Sequence, residues 1–403
     1  MPPLDLVATE LDLNRWLIDF GLTEDDETAL FAGYCDRLVA SGIRLSRAAF
    51  GSDLLHPVLD ARGFTWRPGQ AVTREDYPRH PAPPTMEEFE TSPFYWLIEN
   101  PGEEIRRRLD RGEGRNEFPL LDRFAREGMT DYLALAVRFP PNATLGAVSG
   151  LLCSWQTDAP GGFGEEIADL LRRVSRSLAL AYKAVASVHT GRTLMRTYLG
   201  EDAGRRVLAG DIERGKAETI QAVLWYSDLE GFTRIADSAE RDGLLGLLND
   251  YAETVVDIVQ DHGGEVMKFI GDGILAIFPL TEDVCSRALN AAQSLLPAVD
   301  ALTARRTSEG LPSTGIHVAM HIGEVLYGNI GSRDRLDFTV VGRAVNEVAR
   351  IEAMCRSLEQ RLIVSEAFAT SAGEARERLV SLGRYALRGV RRPEELFTLD
   401  LER

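Results

Sequence analysis

Apolar positions recur at helical spacing early in the chain, in LNRWLIDFGL and again in ETALFAGYCDRLVASGIRL, and predict two amphipathic helices. A Pro-rich polar stretch from Pro78 to Pro84 predicts an exposed loop. Two runs then take on strand character, DYLALAVRF and TLGAVSGLLCSW. The segment DAPGGFGEEIADLLRRVSRSLALAYKAVASV returns to helical spacing, as a turn feeding a long helix. Asp158 or the Gly-Gly turn would cap its start. Residues 1–190 thus read as one α+β unit, and 191–217 as a helical connector broken at Gly200, Gly204 and Gly210.

Residues 218–403 alternate the two periods. QAVLWYSD is a strand, and RDGLLGLLNDYAETVVDIVQDHG is an amphipathic helix ended by Gly263. EVMKFIGDGILAIFP predicts two strands turning at Gly271-Asp272-Gly273. After the helix CSRALNAAQSLLPAVDALTAR, GIHVAMHIGEVLYGNIG predicts a second hairpin turning at Gly323-Glu324. A helix follows Gly342 (AVNEVARIEAMCR), and RLIVSE and ELFTLDL are late strands. The order βα-ββ-α-ββ-αβ predicts an α+β, ferredoxin-like core with additions.

Composition narrows the partners. At 403 residues, with 44% hydrophobic and 27% charged, the chain has the balance of a folded protein of two or three domains. Its formal net charge of -17 argues against nucleic acid or an anionic membrane surface as partner. An acidic protein that handles an anionic nucleotide needs metal ions or a few placed cations. Cys35, Cys153, Cys285 and Cys355 form no zinc-type spacing and fit a reducing compartment. The start, MPPLDLVATELDL, is not that of a signal peptide, and no run approaches the roughly 18 apolar residues of a membrane span. A cytoplasmic location is the expectation. Only three of the 45 basic residues are lysines, Lys183, Lys216 and Lys268, so a lysine at a demanding position stands out.

Two strands each deliver a carboxylate to an exposed tip: Asp228 ends the strand of LWYSDLEGFT, and Asp272 sits in the turn of FIGDGILAIF. Singly, such residues are ordinary helix caps and hairpin turns. On neighbouring strands they would face each other, and like charges raise each other's pKa. Hard divalent cations relieve that, and a pair of them is the usual device for attack at phosphorus. The loop after Asp228, through Gly231 to Phe232 and Thr233, opens a helix whose backbone N–H groups can cradle a triphosphate.

YSDLEGFT, KFIGDGILAIF and VVGRAVNEVAR, in that order and spacing, resemble the catalytic domain of class III adenylyl and guanylyl cyclases, across residues 218–403. The resemblance implies that Asp228 and Asp272 hold two divalent cations, Mg²⁺ or Mn²⁺, with the backbone carbonyl of Leu229. It implies that Lys268 and Thr339 read the purine, that Asn346 orients the ribose, and that Arg350 meets transition-state charge. Lysine with threonine implies adenine, hence ATP converted to cyclic AMP and pyrophosphate; glutamate with cysteine would imply guanine. An ammonium can donate to adenine N1, and a threonine hydroxyl can accept from the 6-amino group. LRGVRRPEELFTL resembles the segment that contacts the terminal phosphates, with Arg388 or Arg391 in place of a lysine. Sites shared between two subunits imply a homodimer. A guanylyl cyclase and a catalytically silent nucleotide-binding regulator are the other readings.

The order of elements in residues 1–190 resembles a GAF or PAS sensor domain, which implies regulation by an unknown ligand or partner. His56 and His80 could ligate haem or metal, although loop or surface positions are the commoner use. Trp66, Trp96 and Trp155 could line a pocket, although core packing is the commoner use.

Overall fold

The computed structural model describes residues 5–80, 83–100, 102–140, 149–389 and 392–400. The chain forms two compact units, Met1–Leu194 and Met195–Arg403.

In the first unit, helices α1 (Leu6–Thr23) and α2 (Glu27–Ala40) precede strands β1 (Arg47–Asp53), β2 (Leu59–Trp66) and β3 (Thr73–Pro78). Then come α3 (Pro83–Glu90), α4 (Pro93–Glu99), β4 (Glu104–Arg107), α5 (Pro119–Arg126), β5 (Asp131–Arg138) and β6 (Gly150–Thr157). Helix α6 (Glu165–Leu199) follows. Asp5 and Asp26 cap α1 and α2 by accepting backbone N–H bonds, at 3.0 Å from Ala8 and 2.8 Å from Thr28. The six strands form an antiparallel sheet in the order β3-β2-β1-β6-β5-β4.

Alternation along β5 sorts the two faces of this sheet. Leu133 and Leu135 join the core under α1, α2 and α6, with Phe31, Tyr34, Phe50, Trp155 and Tyr182. Tyr132, Ala134 and Ala136 point the other way, to Leu97 of α4 and Phe124 of α5. Each large apolar side chain so buried is worth about 1.5–3 kcal/mol. A buried ion pair crosses the first core: Arg62 Nη1 lies 2.6 Å from Glu27 Oε2, each side chain 5% exposed.

Several expectations change here. The Pro78–Pro84 stretch is the end of β3 and the start of α3, with residues 81 and 82 outside the described residues. Asp158 does not cap α6; its carboxylate takes Arg44 Nε at 2.6 Å instead. Trp66 and Trp155 are core residues, whereas Trp96 is 40% exposed. The ring of His56 accepts from the Val58 and Leu59 N–H groups in a turn, and His80 is exposed. All four cysteines are free and buried.

The second unit carries α7 (Glu201–Leu208), β7 (Ala217–Leu229), α8 (Phe232–Ser238), α9 (Arg241–Asp261), β8 (Glu265–Ile270), β9 (Gly273–Pro279) and α10 (Val284–Ser308). After these come β10 (Ile316–Gly331), β11 (Leu336–Val341), α11 (Arg343–Glu352), α12 (Met354–Leu358) and β12 (Leu362–Ser365). The last elements are α13 (Glu366–Ser371), β13 (Leu379–Tyr385) and β14 (Glu394–Leu399). The sheet order is β13-β14-β12-β10-β7-β9-β8, with β11 pairing β10. Leu247, Tyr251, Val255 and Val259 of α9, four apart, and the Ala/Leu face of α10 cover one side. Val348 and Ile351 of α11 and Cys355 of α12 cover the other.

The expected hairpin at Gly323-Glu324 does not exist. β10 runs unbroken from Ile316 to Gly331 and pairs with β7 along its length, from Ile316 opposite Leu229 to Gly328 opposite Ala217. Gly323 serves close approach instead. A Cβ there would lie 2.7 Å from that of Ala344, so the strand needs glycine to seat α11. Gly204, expected as a break, lies inside α7, whereas Gly200 (φ +90°) does separate α6 from α7. No described helix is long and apolar enough to cross a membrane.

Candidate active site

Alternation along β7 sends Val223, Trp225 and Leu229 to one core, and Ala222, Leu224, Tyr226 and Asp228 to the face under α11. Asp228 therefore leaves the sheet on the α11 side. β9 is the next strand, with Ser227 opposite Ile274, so the Gly271-Asp272 turn of β8 and β9 stands beside the end of β7. The two carboxyl groups interact electrostatically across the adjoining strand ends. Burial, then the Asp272 carboxyl beside it, push Asp228 up to about 7, while the Leu229 N–H opposes the shift.

Further groups that sequence reasoning missed surround the pair. Glu352, at the end of α11, is pushed above the carboxylate range, first by burial and then by Asp272, against the pull of Arg356. Its Oε1 lies 3.7 Å from Nδ1 of His317, the residue opposite Asp228 in the ladder. Tyr226, two residues before Asp228 on the same face, is pushed up to about 12 by burial and then by Asp228. Tyr226 was detectable from strand alternation; Glu352 and His317 needed the packing of α11 on β10.

Lys268 lies on β8, where the ladder shifts register between Val266 and Lys268. Its ammonium forms an ion pair with Asp337 of β11. Thr339 lies two residues further on the same face of β11 and is buried. The structure thus brings Lys268 to the strand that carries Thr339, through a carboxylate not anticipated. Asn346 and Arg350 share one side of α11, away from the buried Ala344, Val348 and Ile351. Asn346 is exposed and Arg350 half-buried.

The C-terminal loop reaches Arg350. A Cβ on Gly389, whose φ is +76°, would lie 3.2 Å from Arg350 Nη1, so the loop lays bare backbone on the guanidinium. Exposed Arg388 is next to that contact, whereas Arg391 lies outside the described residues. Phe232 and Thr233 begin α8 after Gly231, with the Phe232 ring packed against the α9–α10 core.

Among the described residues, no three His, Cys, Asp or Glu side chains form a metal-binding group. What the β7 and β9 tips offer is two mutually repelling carboxyls and nearby main-chain oxygen, a hard donor set that suits Mg²⁺ or Mn²⁺.

Residues 216–400 match the family model of the adenylate and guanylate cyclase catalytic domain. An adenylate cyclase of Anabaena cylindrica is 31% identical over 160 residues, which are 39% of this chain and 32% of that protein. The chain thus spans about a third of that relative's length. Among solved structures, the adenylyl cyclase CyaB from P. aeruginosa is 22% identical, covering 47% of this chain and 97% of that chain with a TM-score of 0.42. The guanylyl cyclase Cya2 is 27% identical, covering 45% and 93% with a TM-score of 0.41. The segment from Lys216 to Asp400 therefore belongs to the class III adenylate and guanylate cyclase catalytic-domain family.

Proposed function

We propose that this chain is an adenylyl cyclase, converting ATP to 3′,5′-cyclic AMP and pyrophosphate at two sites shared across a homodimer. The observation that carries the reading is that Asp228 and Asp272 stand at adjoining strand ends, with the Asp272 carboxyl raising that of Asp228. Those carboxylates, with the Leu229 carbonyl, would hold two divalent cations. When bound, the cations acidify the ribose 3′-hydroxyl and neutralise the departing pyrophosphate.

The remaining roles fall to this chain's own side chains. Lys268 donates to adenine N1, and the Thr339 hydroxyl accepts from the 6-amino group. Asn346 orients the ribose. Arg350 meets charge on the α-phosphoryl oxygens, a role worth on the order of 10³-fold in phosphoryl transfer. Arg388 and the backbone N–H groups of Phe232 and Thr233 would take the remaining phosphate oxygens.

Exposed apolar residues support a second copy as partner. Phe269 and Ile270 lie within the Lys268–Asp272 segment, and Leu326, Leu336 and Val341 lie along β10 and β11, all 36–58% exposed. Such a concentration on one catalytic unit favours association. Residues 1–190 would regulate the rate through a ligand or partner of their own.

A product assay with purified protein tests the reading. Cyclic AMP from ATP with Mg²⁺ or Mn²⁺, lost in Asp272→Ala, supports it. Cyclic GMP from GTP alone, or full turnover in Asp272→Ala, overturns it.

A further inference from the structure

Three of the four buried residues on the sheet-facing side of α11 are Ala344, Val348 and Ile351; the fourth is Glu347, 8% exposed. A buried carboxylate must be paired. Glu347 Oε2 lies 3.3 Å from Nε2 of His321 on β10, and its Oε1 accepts from Arg343 Nε at 2.7 Å. His321 is itself 6% exposed, and its Nδ1 lies 2.9 Å from the hydroxyl of the fully buried Ser365. The Ser365 oxygen also accepts the Phe368 N–H at 3.0 Å, where it caps α13.

These contacts define the direction of each hydrogen bond. Burial pushes the His321 imidazole below its usual range, which leaves it neutral at pH 7. An ionised Glu347 only accepts, so Nε2 carries the proton and donates to it. Nδ1 is then the acceptor, and the Ser365 hydroxyl donates to it. The chain Ser365–His321–Glu347 has one consistent arrangement, running from the start of α13 through β10 into α11. Gly323 keeps that crossing short.

Helix residues are about 100° apart, which puts Asn346 and Arg350 about 100° and 60° to the same side of Glu347. Any roll of α11 that breaks the His321 contact swings both residues together. We propose that His321 and Glu347 are positioning residues for cyclisation: their buried hydrogen bond sets the rotation of α11 and thereby aims Asn346 and Arg350 at the nucleotide. This rests on the roles given above to Asn346 and Arg350.

The test is a double-mutant cycle on the full chain, with kcat and KM for ATP measured at saturating Mn²⁺. His321→Ala should lower kcat by about 10- to 100-fold, the cost of misplacing a site by roughly 1 Å, with KM changed less than about threefold. In an Asn346→Ala/Arg350→Ala background, the same substitution should change the residual kcat less than about twofold. His321→Gln, which keeps an amide donor in similar volume, should recover part of the loss. Glu347→Gln, nearly isosteric, is the second variant, read in both backgrounds whether or not His321→Ala folds. Equal losses in both backgrounds, or an unchanged kcat in Glu347→Gln and His321→Ala, overturn the proposal and leave the cyclase reading intact. Full turnover in Asn346→Ala/Arg350→Ala overturns both.

Discussion

Lys268 of β8 and Asp337 of β11 are joined as an ion pair, side chains 45% and 42% exposed. The carboxylate holds the ammonium beside the strand that carries Thr339. Lys268→Glu with Thr339→Cys should lower the ATP-to-GTP ratio of kcat/KM at least about tenfold, since mismatched polar groups are left unpaired. It also sets the introduced carboxylate against that of Asp337, two like charges. Adding Asp337→Asn should therefore raise GTP turnover further. An unchanged ratio in a cyclic-nucleotide assay would show that the purine is read elsewhere.

The Asp228–Asp272 pair makes stability depend on pH. Asp228 is near 7 in the folded chain against an ordinary 3.8, so the folded state holds a proton that the unfolded state has lost between those values. Its contribution is greatest below 3.8 and disappears as pH rises to 7. Mn²⁺ should accordingly raise the melting temperature more at pH 8 than at pH 5. Asp228→Asn should raise the metal-free melting temperature at pH 8 by about 2–4 °C while abolishing turnover. Thermal unfolding followed by fluorescence checks both; a Mn²⁺ effect independent of pH would count against the pair as a cation site.

Gly389 should matter to rate out of proportion to its size. Gly389→Ala puts a methyl group 3.2 Å from Arg350 Nη1 and strains a φ of +76°. We expect kcat to fall about tenfold. Gly310→Ala is the control, since its φ is +71° with nothing within 4 Å of the new methyl. It should lower the melting temperature and leave kcat unchanged. If both variants keep wild-type kcat, the loop does not hold Arg350.

Mixing Asp272→Ala with Arg350→Ala chains should restore activity that neither has alone. In an equal mixture half the dimers are mixed, each with one intact site, so recovery should be on the order of a quarter of wild type. Mixed dimers confirmed by mass that remain inactive would exclude a shared site.

In the first unit, Glu27→Leu should leave the 5%-exposed Arg62 guanidinium without one of its two carboxylates. Breaking such a buried pair from one side costs about 3–5 kcal/mol. Urea unfolding of the full chain, wild type against variant, measures it; a shift under about 1 kcal/mol would class the pair with surface salt bridges.

How much of this was legible in the chain follows from the range of the interactions. Asp228 and Asp272 could be read because each ends a run of apolar residues with a clear strand period. The capped helices α1 and α2 were legible for similar local reasons. β10 was misread because Gly323 has the look of a turn, whereas its lack of a side chain answers to a helix twenty residues later in sequence. The exposed strand β3, TREDYP, is polar and charged and has no apolar period to detect. The His321–Glu347 and Lys268–Asp337 contacts join residues 26 and 69 positions apart, and only tertiary packing brings them together.

The unbroken course of β10 limits how this half of the molecule can change length. His317 and His321 share its α11 side, and Leu326 to Gly331 carry the pairing with β11. One inserted residue within the strand would invert every downstream side chain, sending ligand-facing groups into oil and apolar ones into water. Between the start of β10 and the end of β11, tolerated insertions are therefore confined to the four-residue bend Ser332–Arg335, where the chain reverses without such alternation.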